Sequence, residues 1–159
     1  MTENDQRMIA IVAALGSLAL LAAAFAFQAA GYAPCELCIL QRWPHVLAIG
    51  AGIAVWRLGA RRWLLWLGLA GALGAVAIAG YHSGVEWGLW QGPSACSGGV
   101  GNLTRLSTED LMKQLQAAPV VRCDEPAFKI LGITMANMNA AASAVLALIW
   151  VAALRLRRA

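Results

Sequence analysis

The amino-acid sequence predicts an all-α membrane protein, a four-helix transmembrane bundle with one long polar loop that carries a short amphipathic helix. Hydrophobic residues make up 60% of the chain and charged residues only 13%, whereas a soluble domain carries about 25% charged residues. Long apolar runs alternate with polar segments, as in multi-span membrane proteins. The basic residues stand beside the ends of these runs rather than in one patch, which argues against nucleic-acid binding.

Four apolar runs account for the predicted spans, and we expect them to form a single membrane domain over residues 1–159. They lie at about 8–27, 42–58, 63–81 and 135–154. At about 1.5 Å per residue, the first run is long enough to cross a hydrocarbon core about 30 Å thick. A cleaved signal peptide is the competing interpretation of 8–27. Glycines of the third run can let neighbouring helices approach closely: Gly68, Gly71, Gly74 and Gly80.

The positions of the positive charges orient these spans. Seven of the twelve Lys and Arg residues lie in the leader, around the 59–62 turn and in the tail. By the positive-inside rule these parts face the cytoplasm, so both termini are cytoplasmic. The loops at about 28–41 and 82–134 hold all four cysteines and then lie on the opposite, oxidising side. Tryptophans near both ends of the spans fit the arrangement, with Trp150 expected at the cytoplasmic interface.

The stretch Cys35-Glu-Leu-Cys38 is the candidate redox centre. Two thiols at this spacing can close into a disulfide and reopen by thiolate exchange. On a helix, residues 35, 38, 42 and 45 share one face, which places Arg42 and His45 beside the thiols. A guanidinium one turn from Cys38 favours its thiolate. Pro44 complicates the stripe, because proline kinks or starts a helix.

The long loop has a helix signal of its own. Ser107 precedes Thr108, Glu109 and Asp110, an arrangement typical of an N-cap followed by acids in the first turn. This helix either lies along the membrane surface or covers its own loop. Its apolar face is formed by Leu111, Met112, Leu115 and Ala118, and Leu106 is placed to staple it.

These features together resemble the DsbB family of bacterial disulfide-generating membrane proteins. The resemblance rests on Cys-x-x-Cys followed four residues later by Arg42, between the first and second of four spans. It extends over the long loop, with HSGVEW at 82–87, GPSAC at 92–96 and CDEP at 123–126. It implies a multi-pass protein of the bacterial inner membrane, with both termini cytoplasmic and a long periplasmic loop.

The resemblance also implies an electron relay. A periplasmic thioredoxin-like thiol oxidase of the DsbA type would reduce a Cys96–Cys123 disulfide. The electrons would pass to Cys35 and Cys38, and from there to a membrane quinone, either ubiquinone or menaquinone. Because Cys96 lies among small residues, we expect it to be the accessible sulfur that the partner attacks, with Cys123 as the leaving thiol.

Three further residues take their expected roles from the resemblance. Cys38 matches the cysteine that faces the quinone, and Arg42 matches the arginine beside it; a snorkelling arginine at a helix end is the plainer interpretation. His82 matches a histidine near the quinone, and its plainer interpretation is an interfacial histidine satisfied by Glu86. His45 has no family role and we expect it to be structural.

Two other functions must be weighed against the relay. Four cysteines can bind zinc, but the common pattern repeats a close Cys-x₂₋₄-Cys pair, which Cys96 and Cys123 do not form. We therefore expect no metal. A non-enzymatic four-span membrane protein with structural disulfides is the second alternative. Arg42 beside the thiols counts against it, because an inert disulfide does not need a stabilised thiolate.

Overall fold

Five α-helices and one short β-hairpin make up the described part of the chain. A computed structural model describes residues 3–93, 96, 107, 109–110, 112, 121–126 and 128–155. The helices are α1 (Glu3–Ala29), α2 (Glu36–Leu40), α3 (Arg42–Leu58), α4 (Arg62–Glu86) and α5 (Met135–Arg155). The strands are β1 (Lys129–Ile130) and β2 (Ile133–Thr134), which pair antiparallel.

Four helices are long and apolar enough to cross a membrane, which confirms the predicted fold class. They are α1, the run Glu36–Leu58 that joins α2 to α3, α4 and α5. Around the bundle α1 packs against α3 and α5, and α4 packs against the same two helices. We call the end where α1 and α4 finish and α3 and α5 begin the cysteine end.

The helices extend beyond several of the sequence estimates. Helix α1 begins at Glu3 rather than near residue 8, and α4 continues to Glu86 rather than ending near residue 81. A polar side chain does not end a helix whose backbone hydrogen bonds continue, so hydropathy marks the apolar part of each helix and leaves out its polar ends. The longer α4 carries His82 inside the helix, which fixes the direction of its side chain.

Close helix contacts form at some of the glycines of α4. A Cβ at Gly68 would overlap the Trp150 ring, and a Cβ at Gly71 would lie 2.8 Å from the Pro44 carbonyl oxygen. At Gly74 the contacts of an added Cβ would be ordinary, and an added Cβ at Gly80 would have no atom of another described element within 4 Å. The expected close approach is therefore confirmed at Gly68 and Gly71 and is wrong for Gly80.

Large apolar side chains also cover the outside of the bundle, as expected where helices face lipid. Trp150 does not face lipid: it is fully buried and packs against Gly68 of α4. It lies near the Arg155 end of α5, and its expected place at the cytoplasmic interface stays a prediction. Outward-facing apolar residues include Val12, Leu15, Ile53, Leu73 and Leu148.

The second span is interrupted at Gln41, between α2 and α3. Pro44 has no N–H to donate to the Leu40 carbonyl, so a continuous helix would lack that hydrogen bond. Because α3 starts at Arg42, Pro44 falls in its first turn, where the missing donor costs little. The proline thus places a helix start beside the Cys35–Cys38 pair.

The β-hairpin brings the chain back to the start of α5. Leu131 and Gly132 have φ angles of 51° and 83°, the positive values that a two-residue type I′ turn requires. Thr134 then caps α5, accepting a hydrogen bond from the Asn137 N–H at 3.2 Å and donating one to Glu86 Oε2 at 2.5 Å. The cap therefore fastens the start of α5 to the end of α4.

The loop helix lies mostly outside the described residues. The start that the sequence predicts is present: Ser107 Oγ accepts a hydrogen bond from the Asp110 N–H at 3.2 Å, and residues 109–110 and 112 are helical. Leu106, Leu111, Leu115 and Ala118 are not among the described residues, so its expected membrane-facing surface stays a prediction.

Candidate active site

Cys35 and Cys38 lie at the N-terminus of the short helix α2. Cys35 is its N-cap, and its Sγ accepts a hydrogen bond from the Cys38 N–H at 3.2 Å. The Cys35 thiol donates to Cys38 Sγ, with 2.8 Å between the sulfur atoms, and neither cysteine is in a disulfide. Between them Leu37 is buried and anchors the helix. The helical turn therefore holds the two sulfurs within reach of closing a disulfide.

The second cysteine pair is joined. Cys96 and Cys123 form a disulfide with Cα atoms 5.1 Å apart. The chain before Cys96 is braced on α4: Trp90 stacks on Tyr81 at 5.9 Å between ring centroids and donates to the Tyr81 carbonyl at 2.9 Å. Gly84 leaves the space that the Trp90 ring fills.

The two cysteine pairs meet in one buried cluster. Cys35, Cys96 and Cys123 pack together with Leu37 and Val85, and Cys38 and Val121 lie at its edge. In sequence the pairs are separated by two membrane spans. The fold therefore brings a disulfide against two free thiols, the arrangement that direct exchange between the pairs requires.

His82 lies between the two pairs. Its Nε2 is 3.6 Å from Cys35 Sγ and 3.9 Å from Glu86 Oε1. The expected contact with Glu86 at i+4 is thus present, but it is one of several. The structure thus places His82 beside the thiols, which the sequence did not predict, and its expected role near a quinone stays a prediction.

A buried polar chain connects His82 to helix α5. Gln41 Nε2 lies 2.6 Å from His82 Nδ1, and Asn139 Nδ2 donates to Gln41 Oε1 at 2.7 Å. His45 Nε2 lies 3.1 Å from Asn139 Oδ1. The sequence analysis assigned no role to Gln41 or Asn139. The signal available was that uncharged amides inside apolar runs need partners.

Arg42 projects into the same region from the first turn of α3. Its guanidinium carbon lies 4.5 Å from the centroid of the Phe25 ring, and its buried Nε has no hydrogen-bond partner among the described residues. Snorkelling to the bundle end leaves such a nitrogen in water. The stacked, partly buried position instead leaves a cation available to a neighbouring group.

One cavity joins these residues. It has a volume of about 360 Å³ and is lined by all four residues of the predicted stripe, Cys35, Cys38, Arg42 and His45, together with His82. The expectation that the stripe shares a face is confirmed, although the helix is interrupted at Gln41. Three aromatic rings with centroids 5.7 to 5.9 Å apart line another side of the cavity: Phe27, Tyr32 and Phe128.

Comparison with known proteins agrees with this arrangement. The family model described as "Disulfide bond formation protein DsbB" matches residues 6–153, which is nearly the whole chain and includes both cysteine pairs. The chain belongs to the DsbB family. It is therefore a multi-pass membrane protein, and its four long helices are the spans.

A similar curated protein is also known. "Uncharacterized protein RP370" of Rickettsia prowazekii (strain Madrid E) is 31% identical over 109 residues, which is 68% of this chain and 63% of that protein. The chain thus matches less than two thirds of the relative's length, and the relative's printed name gives no activity. No solved structure matches the chain.

Exposure does not separate the loop cysteines in this DsbB family member. Cys96 and Cys123 are 2% and 1% exposed, so the expected accessibility of Cys96 is wrong for this arrangement of the loop. The small residues before Cys96 do not leave its sulfur in solvent, because Cys96 packs in the cluster with Val85. Attack by a partner therefore requires the loop to open.

The segment that carries Cys123 is flanked by an exposed ion pair. Arg122 donates to Asp124 at 2.6 Å, and this contact lowers the pKa of Asp124 and raises the pKa of Arg122. Glu125 lies 3.9 Å from the same guanidinium. The charges beside Cys123 therefore largely compensate each other, as expected for an exposed pair that contributes little to stability.

Three atoms of the site could also share a soft metal ion. The sulfur atoms of Cys35 and Cys38 and a ring nitrogen of His82 lie within 4.8 Å of one another. Thiolate and imidazole are ligands that zinc prefers. The expectation that this DsbB family member uses no metal stays a prediction, and retention of thiol oxidation after exhaustive chelation would support it.

Proposed function

We propose that the protein is a thiol:quinone oxidoreductase that generates disulfide bonds. Its electron donor is a periplasmic thioredoxin-like oxidase of the DsbA type, and its acceptor is ubiquinone or menaquinone. Electrons pass from Cys96 and Cys123 to Cys35 and Cys38 and then to the quinone. The observation that carries this proposal is the buried cluster in which the disulfide of one pair packs against the free thiols of the other.

The first two steps are thiol–disulfide exchanges. A thiolate of the partner attacks the Cys96–Cys123 bond and forms a mixed disulfide, which the partner's second thiol resolves. The loop pair, now a dithiol, reduces the Cys35–Cys38 disulfide in the same way and becomes a disulfide again. Each exchange moves two electrons and two protons. The pairing in the structure, with the loop pair joined and Cys35 and Cys38 free, corresponds to the state after the second exchange.

The cavity fits a quinone ring. Apolar side chains form most of its wall, which suits a lipid-soluble ligand. Arg42 and His45 line it, and each has a buried nitrogen, Arg42 Nε and His45 Nδ1, without a hydrogen-bond partner in the described part of the chain. Buried polar atoms without partners are rare, and a quinone oxygen can accept a hydrogen bond from the Arg42 Nε–H. Bound there, a quinone supplies an acceptor for two electrons and two protons.

The residues around Cys38 are suited to its oxidation. The hydrogen bond that Cys35 donates to Cys38 Sγ stabilises a thiolate on Cys38, and the nearby Arg42 cation favours the same charge. The guanidinium can also stabilise negative charge that develops on an acceptor in the cavity. His82 holds Cys35 from the opposite side of the pair, where it meets the loop.

The orientation follows from the positive charges. We propose an inner-membrane protein with cytoplasmic termini, so that the cysteine end faces the periplasm. After reduction of intact cells, a membrane-impermeant thiol reagent should reach Cys96 and Cys123. A reporter fused after the last residue should behave as cytoplasmic, and periplasmic activity of that fusion would overturn this orientation.

The function is tested by anaerobic mixing of purified protein, a reduced thioredoxin-like dithiol partner and quinone. Quinone absorbance should fall in step with partner oxidation, one quinone per dithiol. Cys38→Ser should abolish quinone reduction, because the sulfur proposed to face the acceptor is gone. If wild-type protein reduces no quinone, the enzymatic proposal fails and the alternative of structural disulfides stands.

A further inference from the structure

The buried polar chain between α3, α4 and α5 has a direction. A side-chain amide donates only from nitrogen and accepts only at oxygen. Each amide in this series of hydrogen bonds therefore fixes which of its neighbours is the donor and which is the acceptor. Asn139 Nδ2 donates to Gln41 Oε1, which leaves Gln41 Nε2 to face His82 Nδ1 at 2.6 Å. Because Gln41 Nε2 can only donate, His82 Nδ1 accepts, and the proton of this neutral ring is on Nε2.

The surroundings of His82 Nε2 support the same tautomer. This nitrogen faces Cys35 Sγ at 3.6 Å and the carboxylate oxygen Glu86 Oε1 at 3.9 Å, and both are acceptors for its N–H. Cys35 in turn donates to Cys38 Sγ. Each hydrogen bond therefore points the same way, from donor to acceptor, from Asn139 and Gln41 through His82 and Cys35 to the sulfur of Cys38.

At the other end, the direction fixes the tautomer of His45. Asn139 Oδ1 can only accept, and it faces His45 Nε2 at 3.1 Å and the Ser143 hydroxyl at 3.4 Å. The proton of His45 is therefore on Nε2, which leaves Nδ1 as an acceptor. That atom is buried, has no hydrogen-bond partner among the residues that the structure covers, and belongs to a side chain that is 4% exposed.

We propose that His45 Nδ1 is a ligand-binding acceptor that takes a hydrogen bond from a hydroxyl group of the molecule in the cavity. A quinone has only carbonyl oxygens, which cannot donate, whereas a hydroquinone has two hydroxyl groups. His45 therefore favours the reduced ligand over the oxidised one. The inference rests on the proposed quinone site and adds a residue and a preference to it.

The preference favours the proposed reaction. Oxidation of Cys35 and Cys38 to a disulfide releases two electrons and two protons, and both go to the quinone, which becomes hydroquinone. Only the product completes the hydrogen bonding of His45, so the site stabilises the direction that forms the disulfide. If hydroquinone binds about tenfold more tightly than quinone, the midpoint potential of the bound couple rises by about 30 mV.

A matched pair of ligands tests this, because neither is an oxidant. Decylhydroquinone and its dimethyl ether differ in their hydroxyl hydrogens, and their affinities for the protein with reduced Cys35 and Cys38 can be measured anaerobically by tryptophan fluorescence. A buried acceptor left without its donor costs enough to predict about tenfold tighter binding of the hydroquinone. In His45→Phe, which cannot accept, the ratio should fall to about twofold or less.

Nitrogen NMR gives a second measurement that needs no variant. The protein has two histidines, His45 and His82, and both belong to this series of hydrogen bonds. Labelling with ¹⁵N-histidine therefore reports on these two rings alone. We expect both rings to be protonated on Nε2. Decylhydroquinone should shift the Nδ1 signal of one ring, and His45→Phe should remove that signal, while the dimethyl ether should leave it in place.

The outcomes separate this inference from the proposed function. If both ligands bind wild-type protein with equal affinity, or if the ratio survives in His45→Phe, the role of His45 is wrong while the quinone site stands. A His45 ring protonated on Nδ1 would likewise overturn it, because that ring donates to a carbonyl. If neither ligand binds, the quinone site itself fails.

Discussion

The two sulfur atoms of the Cys35–Cys38 pair have different surroundings. Cys35 is buried, is held by the Cys38 N–H and His82, and donates its own hydrogen to Cys38. Cys38 is partly exposed and lines the cavity. The hydrogen bond to Cys38 and, next, burial raise the pKa of the Cys35 thiol above its ordinary value of 9.0. A redox pair thus has one sulfur that keeps its proton and one that accepts a hydrogen bond.

This difference predicts unequal alkylation of the reduced protein. Maleimide reacts with thiolates, and a raised pKa lowers the thiolate fraction of Cys35 at every pH below it. At pH 7, initial rates from peptide mapping should place Cys38 ahead of Cys35. The rate at Cys35 should stay low up to its ordinary pKa of 9.0 and rise only at higher pH. Faster labelling of Cys35 at neutral pH would contradict the assignment, and the denatured protein is the control.

Arg42 gives a second prediction at the residue scale. Arg42→Met removes the partly buried cation that lines the cavity, so the apparent affinity for quinone should fall about tenfold, as expected for a charged hydrogen-bond donor. Partner oxidation at saturating quinone should change less. Lysine should restore part of the affinity, because its charge survives while the planar fork is lost.

The chain contains a matched control for Arg42. Arg57 also stacks on an aromatic ring, with 5.0 Å between its guanidinium and the Trp56 centroid, but it does not line the cavity. Arg57→Met should leave quinone kinetics unchanged. Equal effects of the two substitutions would support a general anchoring role for both arginines.

At the element scale, the approach of α3 to α4 positions the redox centre. A Cβ at Gly71 would meet backbone atoms at 2.8 and 2.9 Å, the Pro44 carbonyl oxygen and the Ala48 nitrogen. Backbone cannot move aside as a flexible side chain can, so the helices would have to separate. Pro44 belongs to the first turn of α3, which also carries Arg42. The missing side chain at Gly71 therefore allows the close contact of α3 with α4 that positions Arg42 at the cavity.

Gly71→Ala should lower the free energy of unfolding by about 1–3 kcal/mol through this overpacking. Gly80→Ala is the matched control in the same helix, because nothing lies within 4 Å of its added Cβ. It should be neutral or stabilising by up to about 1 kcal/mol. Thermal or denaturant unfolding in detergent micelles measures both. Equal losses would mean that helix propensity rather than helix contact sets the cost.

The elements also mark where prediction from sequence succeeds. Hydropathy and charge locate four spans, because apolar length is a local property of the chain. The hairpin at Leu131 and Gly132 is not predicted, since leucine rarely adopts positive φ and its turn carries no Asn-Gly signal. The polar chain through Gln41 and Asn139 is also missed, because its bonds join residues 98 positions apart. Helical spacing in the sequence predicts that Cys35, Cys38, Arg42 and His45 lie together. The contact of His82 with Cys35 depends on how α4 packs against α2, which the sequence pattern does not predict.

At the scale of the whole molecule, the described residues at the end of the long loop lie over the candidate redox centre. Val121, Glu125, Pro126 and Phe128 line the cavity, so the segment after the loop helix forms part of its wall. Cys123 itself is buried and packs with Cys35 and Val85. Cys96 is joined to Cys123 and hydrogen-bonded through its carbonyl to the Cys123 N–H at 3.4 Å. A partner can reach this disulfide only if part of the loop moves away from the bundle.

The anchoring of the two loop cysteines predicts which one the partner captures. Cys123 lies between two residues that line the cavity, Val121 and Glu125, whereas the described residues next to Cys96 in sequence do not line it. Opening should therefore move Cys96 outward and leave Cys123 beside the Cys35–Cys38 pair. The partner's thiolate attacks Cys96, and Cys123 is the leaving thiol that next attacks the inner disulfide.

Trapping experiments test this order. In Cys123→Ser the free Cys96 thiol attacks the disulfide of an oxidised partner, and only the reverse reaction, by the partner's own second thiol, can then release Cys96. A covalent complex through Cys96 should therefore accumulate. Cys96→Ser should give little complex, because Cys123 is held at the bundle. Non-reducing electrophoresis and peptide mapping identify the linked sulfurs. A complex that forms mainly in Cys96→Ser would reverse the assignment of the two cysteines. The contact between the two pairs would then still allow the relay, but Cys96 rather than Cys123 would carry electrons to Cys35 and Cys38.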